Sequence, residues 1–289
     1  MRKAILLGLW VACCTSRREE TGHPQQAPVV ESTRRDTAQR KDYALVRVAD
    51  GVYVEQFDST NTDQNPYIEN RYTQNNQVYR AGHAFTYSYQ YRDTLGQPYY
   101  SKSTKDGWAF VPADRADAQT LKQVIIRVEP GGMGADYNQT VVSYHYPPNL
   151  DHSASGVIEN EKNIWMHPPR DGLFRVLELN PFPFIQAPYR VGNQWNWELS
   201  IGSHWGDTRW KEWQGTITNR YQYRISGHQQ IETRLGTLPC WEVTSTAQSE
   251  LGKTGLIAYF NPEHGFVRLN YTNIDGSRLV MELIEHQEK

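Results

Sequence analysis

Charge of one sign, paired cysteine and long apolar runs are all scarce in this chain. Its 289 residues hold three cysteines, two of them adjacent at positions 13 and 14. No disulfide framework can be built from the single cysteine that remains, Cys240. Cys240 lies in the strand-like run Leu238-Pro-Cys-Trp-Glu-Val243 and reads as a small buried apolar residue. Lys and Arg number 30 against 32 Asp and Glu, a formal net charge of −2, so there is no basic footprint for nucleic acid. No Gly-x-Ser-x-Gly elbow and no phosphate-cradling glycine loop occurs. The nine histidines include no His-x₃-His pair and none beside a cysteine pair at zinc spacing. Asp151, His152 and Ser153 are consecutive, and consecutive residues cannot present triad geometry. An enzyme reading needs two or more of His145, His152, His167, Asp151 and Glu161 to converge in a cleft. No catalytic residue, metal set or cofactor is assigned from the sequence, and a non-enzymatic role is the expectation.

The N-terminus is the most informative stretch. Arg2 and Lys3 precede Ala4 to Ala12, an apolar run of nine residues that stops at Cys13 and Cys14. A bilayer-spanning helix needs roughly 20 apolar residues. The shorter run suits the core of a cleaved secretory signal. A cysteine directly after it resembles a bacterial lipoprotein signal. That resemblance implies cleavage before the cysteine and acylation of it. Cys13, preceded by Ala12, is the better junction; Cys14 is the alternative, and Trp10 departs from the pattern. Two or three acyl chains would hold the protein on a membrane without any apolar surface of its own. Removal of Arg2 and Lys3 takes the net charge from −2 to −4.

Thr15 to Asp42 contains no aromatic residue, no Leu and no Ile, and carries six basic and five acidic residues. Such a segment cannot bury enough apolar surface to order itself, so a flexible tether is expected. Its typical end-to-end distance would be about 30 Å. Arg17-Arg18-Glu19-Glu20 resembles the export signals of Bacteroidota surface lipoproteins; a solvated charge run is the alternative.

From Tyr43 to Lys289 the apolar period is two, and a single β-rich domain is expected. Phe85, Tyr87, Tyr89 and Tyr91 alternate with Thr86, Ser88 and Gln90. Trp195, Trp197, Leu199 and Ile201 alternate with Gln194, Asn196, Glu198 and Ser200. Strands are predicted over 121–128, 140–146, 193–201, 213–225, 239–246, 256–260, 266–271 and 278–284. The last six, joined mostly by short turns, predict an antiparallel meander with one polar face. The fold class is therefore all-β: a curved antiparallel sheet or half-barrel, with 43–150 and 188–285 as potential sub-sheets. Residues 164–188 hold five prolines within 21 residues, which predicts neither helix nor regular central strand there. Their aromatics predict a connection that packs down between the halves or across one end of a barrel.

Gly192-Asn-Gln-Trp195, Thr233-Arg-Leu-Gly-Thr-Leu-Pro-Cys240, His264-Gly-Phe-Val267 and Asp275-Gly276 together resemble a group of bacterial envelope proteins with curved antiparallel sheets. Similar folds include periplasmic lipoprotein carriers, whose half-barrels hold acyl chains. The resemblance implies a hydrophobic or amphiphilic ligand, or a partner protein, for an outer-membrane-anchored lipoprotein. The second reading is a glycan-binding accessory lipoprotein. Trp205, Trp210 and Trp213, with Arg209 and Lys211, would stack on sugar rings if exposed on one flat surface; buried, they are core. His167-Pro-Pro-Arg170 reads either as a rigid His and Arg pair for an anionic ligand or as a stiff corner whose Arg caps backbone carbonyls.

Overall fold

The computed structural model describes residues 44–48, 51–56, 76–131, 139–150 and 152–288, all within the unit Arg34–Lys289. The expected signal, Cys13, Cys14, the expected tether and Asp151 lie outside the described residues. The first half supplies β1 (Ala44–Arg47), β2 (Tyr53–Gln56), β3 (Ala84–Arg92), β4 (Pro98–Thr104), β5 (Gly107–Pro112), β6 (Gln123–Val128), β7 (Thr140–His145) and β8 (His152–Glu159). β9 (Asn163–Met166) and β10 (Phe184–Gln186) flank the central connection. The second half runs through β11 (Gln194–Gly202), β12 (Thr216–Thr233), β13 (Gly236–Ser249), β14 (Gly252–Asn261), β15 (Gly265–Thr272) and β16 (Arg278–Gln287).

β11 to β16 form the expected meander, each strand antiparallel to the next. β16 then pairs with β3 from Arg278↔Arg92 to Gln287↔Ala84. That single pairing joins the halves into one 14-stranded sheet, beside the separate two-stranded sheet of β1 and β2. β12 runs 18 residues, past the Ile225 limit expected from alternation. It continues because a bulge at Ile225/Gly227 absorbs the break in period.

The sheet curls into a nearly closed barrel whose free edges are β10 and β11. Aromatic side chains meet across the seam: Phe184 lies 5.5 Å from Trp195, and Trp165 lies 5.7 Å from Trp197. The β1–β2 hairpin reaches both margins. The Tyr53 N–H donates to Asn163 Oδ1 at 2.8 Å, and Gly51 packs on the β11 backbone. At Gly51 φ is +91°, and a Cβ would sit 3.2 Å from the Asn196 carbonyl, so both conformation and space favour glycine.

The central connection corrects one expectation. Gly172–Leu179 is a 3₁₀ helix, because the prolines cluster on either side of it and leave those eight residues free to coil. Leu173, Phe174, Val176, Leu177 and Leu179 are buried. The helix and the chain after it fill the barrel interior. Phe174 packs on Tyr89 at 5.0 Å, and Phe182 packs on Trp197 at 5.2 Å. Polar ties fix the plug: Asn219 Nδ2 and Thr254 Oγ1 both donate to the Leu179 carbonyl, at 2.9 and 2.8 Å, and Tyr223 donates to the Phe182 carbonyl at 3.1 Å. The curved antiparallel sheet is the one expected from the sequence, and the plug packs against its inner face.

Candidate functional site

The outer face of β11 to β16 carries a solvent-open trough of about 1070 Å³. Register places two cross-strand rows along it. The first runs Gln194, Arg224, Thr244, Ile257, Asn270 and Val280; the second runs Asn196, Gln222, Thr246, Gly255, Thr272 and Arg278. These are the outward residues of the period-two pattern. Beneath them the inward residues stack: Trp195 on Tyr223 with planes 4° apart, and Trp197 on Tyr221 at 4.5 Å. The floor is held by packed aromatic pairs.

The electrostatics of the two rows differ from those of their neighbours. On one side Arg220 reaches Glu198 at 3.9 Å, and on the other Arg268 reaches Glu282 at 3.4 Å. The trough rows hold no carboxylate, and among the described residues neither Arg224 nor Arg278 has an ion-pair partner. Arg278 also lies directly opposite Arg92 of β3. Like charges facing each other across strands repel, and a bound anion would relieve that repulsion. Hydroxyls and amides supply the remaining polar groups, donors and acceptors alike.

The residues singled out from the sequence fall elsewhere. Trp210 and Trp213 are 9% and 8% exposed, so they belong to the core and offer no stacking surface. Trp205 is half-buried, with the Arg175 and Arg170 guanidinium groups 5.5 and 5.8 Å from its ring. Arg170 also donates to the Ala154 carbonyl at 2.8 Å, which makes the Pro-Pro segment a capped corner.

His167 packs between Trp165 and Phe182, with its side chain 14% exposed. Its Nδ1 lies 2.7 Å from the Pro168 carbonyl, which can only accept, so Nδ1 carries the proton. Nε2 faces Glu178 Oε1 at 3.5 Å. That is ion-pair geometry without an ion pair. Burial pulls His167 down to about 3 and lifts Glu178 to about 7, so both neutral forms are favoured.

Of the residues tested for convergence, His145 and His152 come together, opposite each other on β7 and β8 with rings 5.4 Å apart. Ser143 Oγ donates to Glu129 Oε1 and sits 2.9 Å from His145 Nε2. The hydroxyl proton points to the carboxylate, so the imidazole is the donor to Ser143, the reverse of the general-base role. Glu161 is exposed in the β8–β9 turn. Cys240 is fully buried, and burial pushes its thiol up to about 11, which suppresses the thiolate.

Sequence reasoning missed two features. The trough was read as an ordinary solvated face; the lack of Glu and Lys at its outward positions was the available signal. The other is a group of three imidazoles from His83, His264 and His286, which no spacing rule connects.

No protein-family model matches the chain, and no curated protein matches it. Several solved structures resemble it, among them the following three. One, from Bacteroides fragilis NCTC 9343, is described as an exported protein with YmcC-like fold. It is 10% identical, with 72% of this chain and 97% of that one covered at a TM-score of 0.36. A protein described as a lipoprotein, from Parabacteroides distasonis ATCC 8503, is 12% identical over 78% of this chain and 100% of its own, with a TM-score of 0.38. The hypothetical lipoprotein YmcC of Escherichia coli K12 is 8% identical over 74% of this chain and 90% of its own, with a TM-score of 0.32.

Proposed function

We propose that the chain is a bacterial envelope lipoprotein, anchored in the outer membrane by acyl chains on Cys13, whose trough binds an acidic glycan without catalysis. The anchor reading rests on the basic start, short apolar run and cysteine of residues 2–13. The ligand reading rests on one observation: two unpaired arginines in a carboxylate-free trough lined by Thr, Asn and Gln. Arg224 and Arg278 are four strands apart, roughly 19 Å across the sheet. A small anion reaches one of them; a polymer bearing repeated carboxylates or phosphates reaches both. The hydroxyl-rich backbone of a glycan matches the side-chain amides and hydroxyls between them. A hydrophobic or amphiphilic ligand, the other reading from sequence, would have to share the interior with Leu173, Phe174, Leu177 and Phe182, which are buried there.

The test is titration of the full chain with polygalacturonate and with neutral dextran, followed by calorimetry at two salt concentrations. Binding to polygalacturonate alone, weakened by salt and by Arg224→Gln plus Arg278→Gln, is expected. Gly255→Thr should also block it. A Cβ there meets only the Ser245 carbonyl, at 3.6 Å, so the substitution leaves the fold intact while raising the trough floor. Equal binding of dextran, or polygalacturonate binding that survives the double variant, would refute the proposal.

A further inference from the structure

Three imidazoles meet at one end of the barrel, away from the trough residues. His83 precedes β3, His264 lies in the β14–β15 turn and His286 lies near the end of β16. In the β16–β3 register His286 is opposite Phe85 and Gln287 is opposite Ala84, which places Glu288 opposite His83. Strand alternation then puts His83, His286 and Glu288 on one face. His83 Nδ1 and His286 Nε2 are 3.1 Å apart, and one potential ligand atom each from His83, His286 and Glu288 lie within 4.8 Å of one another.

The local structure holds these groups in place. The His83 N–H donates to the Arg80 carbonyl at 3.0 Å, and its own carbonyl accepts from Val128 at 2.9 Å. The His286 ring stacks on Phe85 at 4.3 Å. His264 is presented by an Asx turn, in which Asn261 Oδ1 accepts the backbone N–H groups of Glu263 and His264. His264 Nδ1 lies 3.0 Å from His286 Nδ1, the nitrogen that does not face His83.

We propose that His83 Nδ1, His286 Nε2 and the Glu288 carboxylate bind a divalent transition-metal ion of the zinc type, with His264 orienting His286. Two imidazole nitrogens at about 2.0–2.1 Å from a tetrahedral ion stand roughly 3.4 Å apart. The observed 3.1 Å therefore needs only a slight opening. The hydrogen bond from the second ring nitrogen to His264 is the outer-shell contact that fixes a ligand imidazole's tautomer and angle. Mixed imidazole and carboxylate ligation favours zinc-like ions over magnesium or calcium, which prefer all-oxygen shells. Three protein ligands leave the fourth position to water.

The experiment uses the full chain without a histidine tag, stripped with chelator. It is titrated with Zn²⁺ by calorimetry and with Co²⁺ by visible absorption, against a Mg²⁺ control. One equivalent of Zn²⁺ or Co²⁺ should bind, with the intense visible bands of low-coordinate cobalt, and Mg²⁺ should not. His264→Gln should weaken Zn²⁺ about 10–100-fold, and His286→Gln and Glu288→Gln should weaken it further. Glu288 is exposed, so Glu288→Gln tests the site without threatening the fold. Absence of stoichiometric uptake would overturn the proposal, as would uptake unchanged by His286→Gln or Glu288→Gln.

Discussion

Glu178 offers a quantitative check on how the barrel interior is built. Its carboxyl is 4% exposed, 3.5 Å from His167 Nε2, with Arg170, Arg175 and the Tyr221 hydroxyl also acting on it. Burial is the dominant influence, and it raises the group from an ordinary 4.5 to about 7 despite the two arginines. A raised folded-state value means that the protonated form is preferred on folding. The stability contributed by that preference is complete below pH 4.5 and is lost as pH climbs through about 7. The interval corresponds to about 3 kcal/mol. Glu178→Gln keeps the shape, never ionises and can donate to His167 Nε2. The variant should therefore match the parent near pH 4.5 and exceed its stability at pH 8 by up to about 3 kcal/mol. His167 titrates in the opposite sense. Its lowered value costs stability as pH falls from 6.5 toward 3, and that cost is common to both proteins and cancels in their difference. Urea unfolding of both proteins at pH 5 and pH 8 measures the difference. A variant less stable at both pH values would refute the reasoning, because it would mean that Glu178 is ionised and paired with a protonated His167.

Three further outcomes follow from particular contacts. Gly265→Ala should destabilise by about 2–4 kcal/mol in thermal or urea unfolding; φ is +74° and the new Cβ would fall 2.8 Å from the buried Tyr79 hydroxyl. Phe182→Ala should cost about 3–5 kcal/mol and open an apolar void inside the plug. Benzene should then raise the variant's Tm and leave the parent's unchanged. Cys13→Ser should move the protein from the membrane to the soluble fraction and abolish incorporation of labelled palmitate, while Cys14→Ser should change neither.

The second half of the fold was largely legible because its strands bury one face and wet the other. Trp195 through Ile201, and Ile217 through Ile225, spell that alternation directly, and Asn261-Pro-Glu-His-Gly265 and Asn273-Ile-Asp-Gly276 mark turns between neighbours. The 3₁₀ helix was not legible. A composition rule averaged five prolines over a segment in which 172–179 contains none. β8 was missed because Val157, Ile158 and Glu159 are buried in succession and show no alternation. The tryptophans at 205, 210 and 213 could be read either way from sequence, since exposure is decided by what packs above them.

By itself, the sequence determined the basic start, short apolar run and paired cysteines of residues 2–14, the antiparallel β class and the order of strands in the meander. Each of these depends on neighbours a few residues apart. Only the tertiary structure decided that β16 pairs with β3, that residues 172–184 fill the interior, and that His83, His264 and His286 share one end of the barrel. Those outcomes join residues up to 203 positions apart. They are fixed by how far the sheet curls before its aromatic edges meet, a property of the whole assembly of strands that no local pattern encodes.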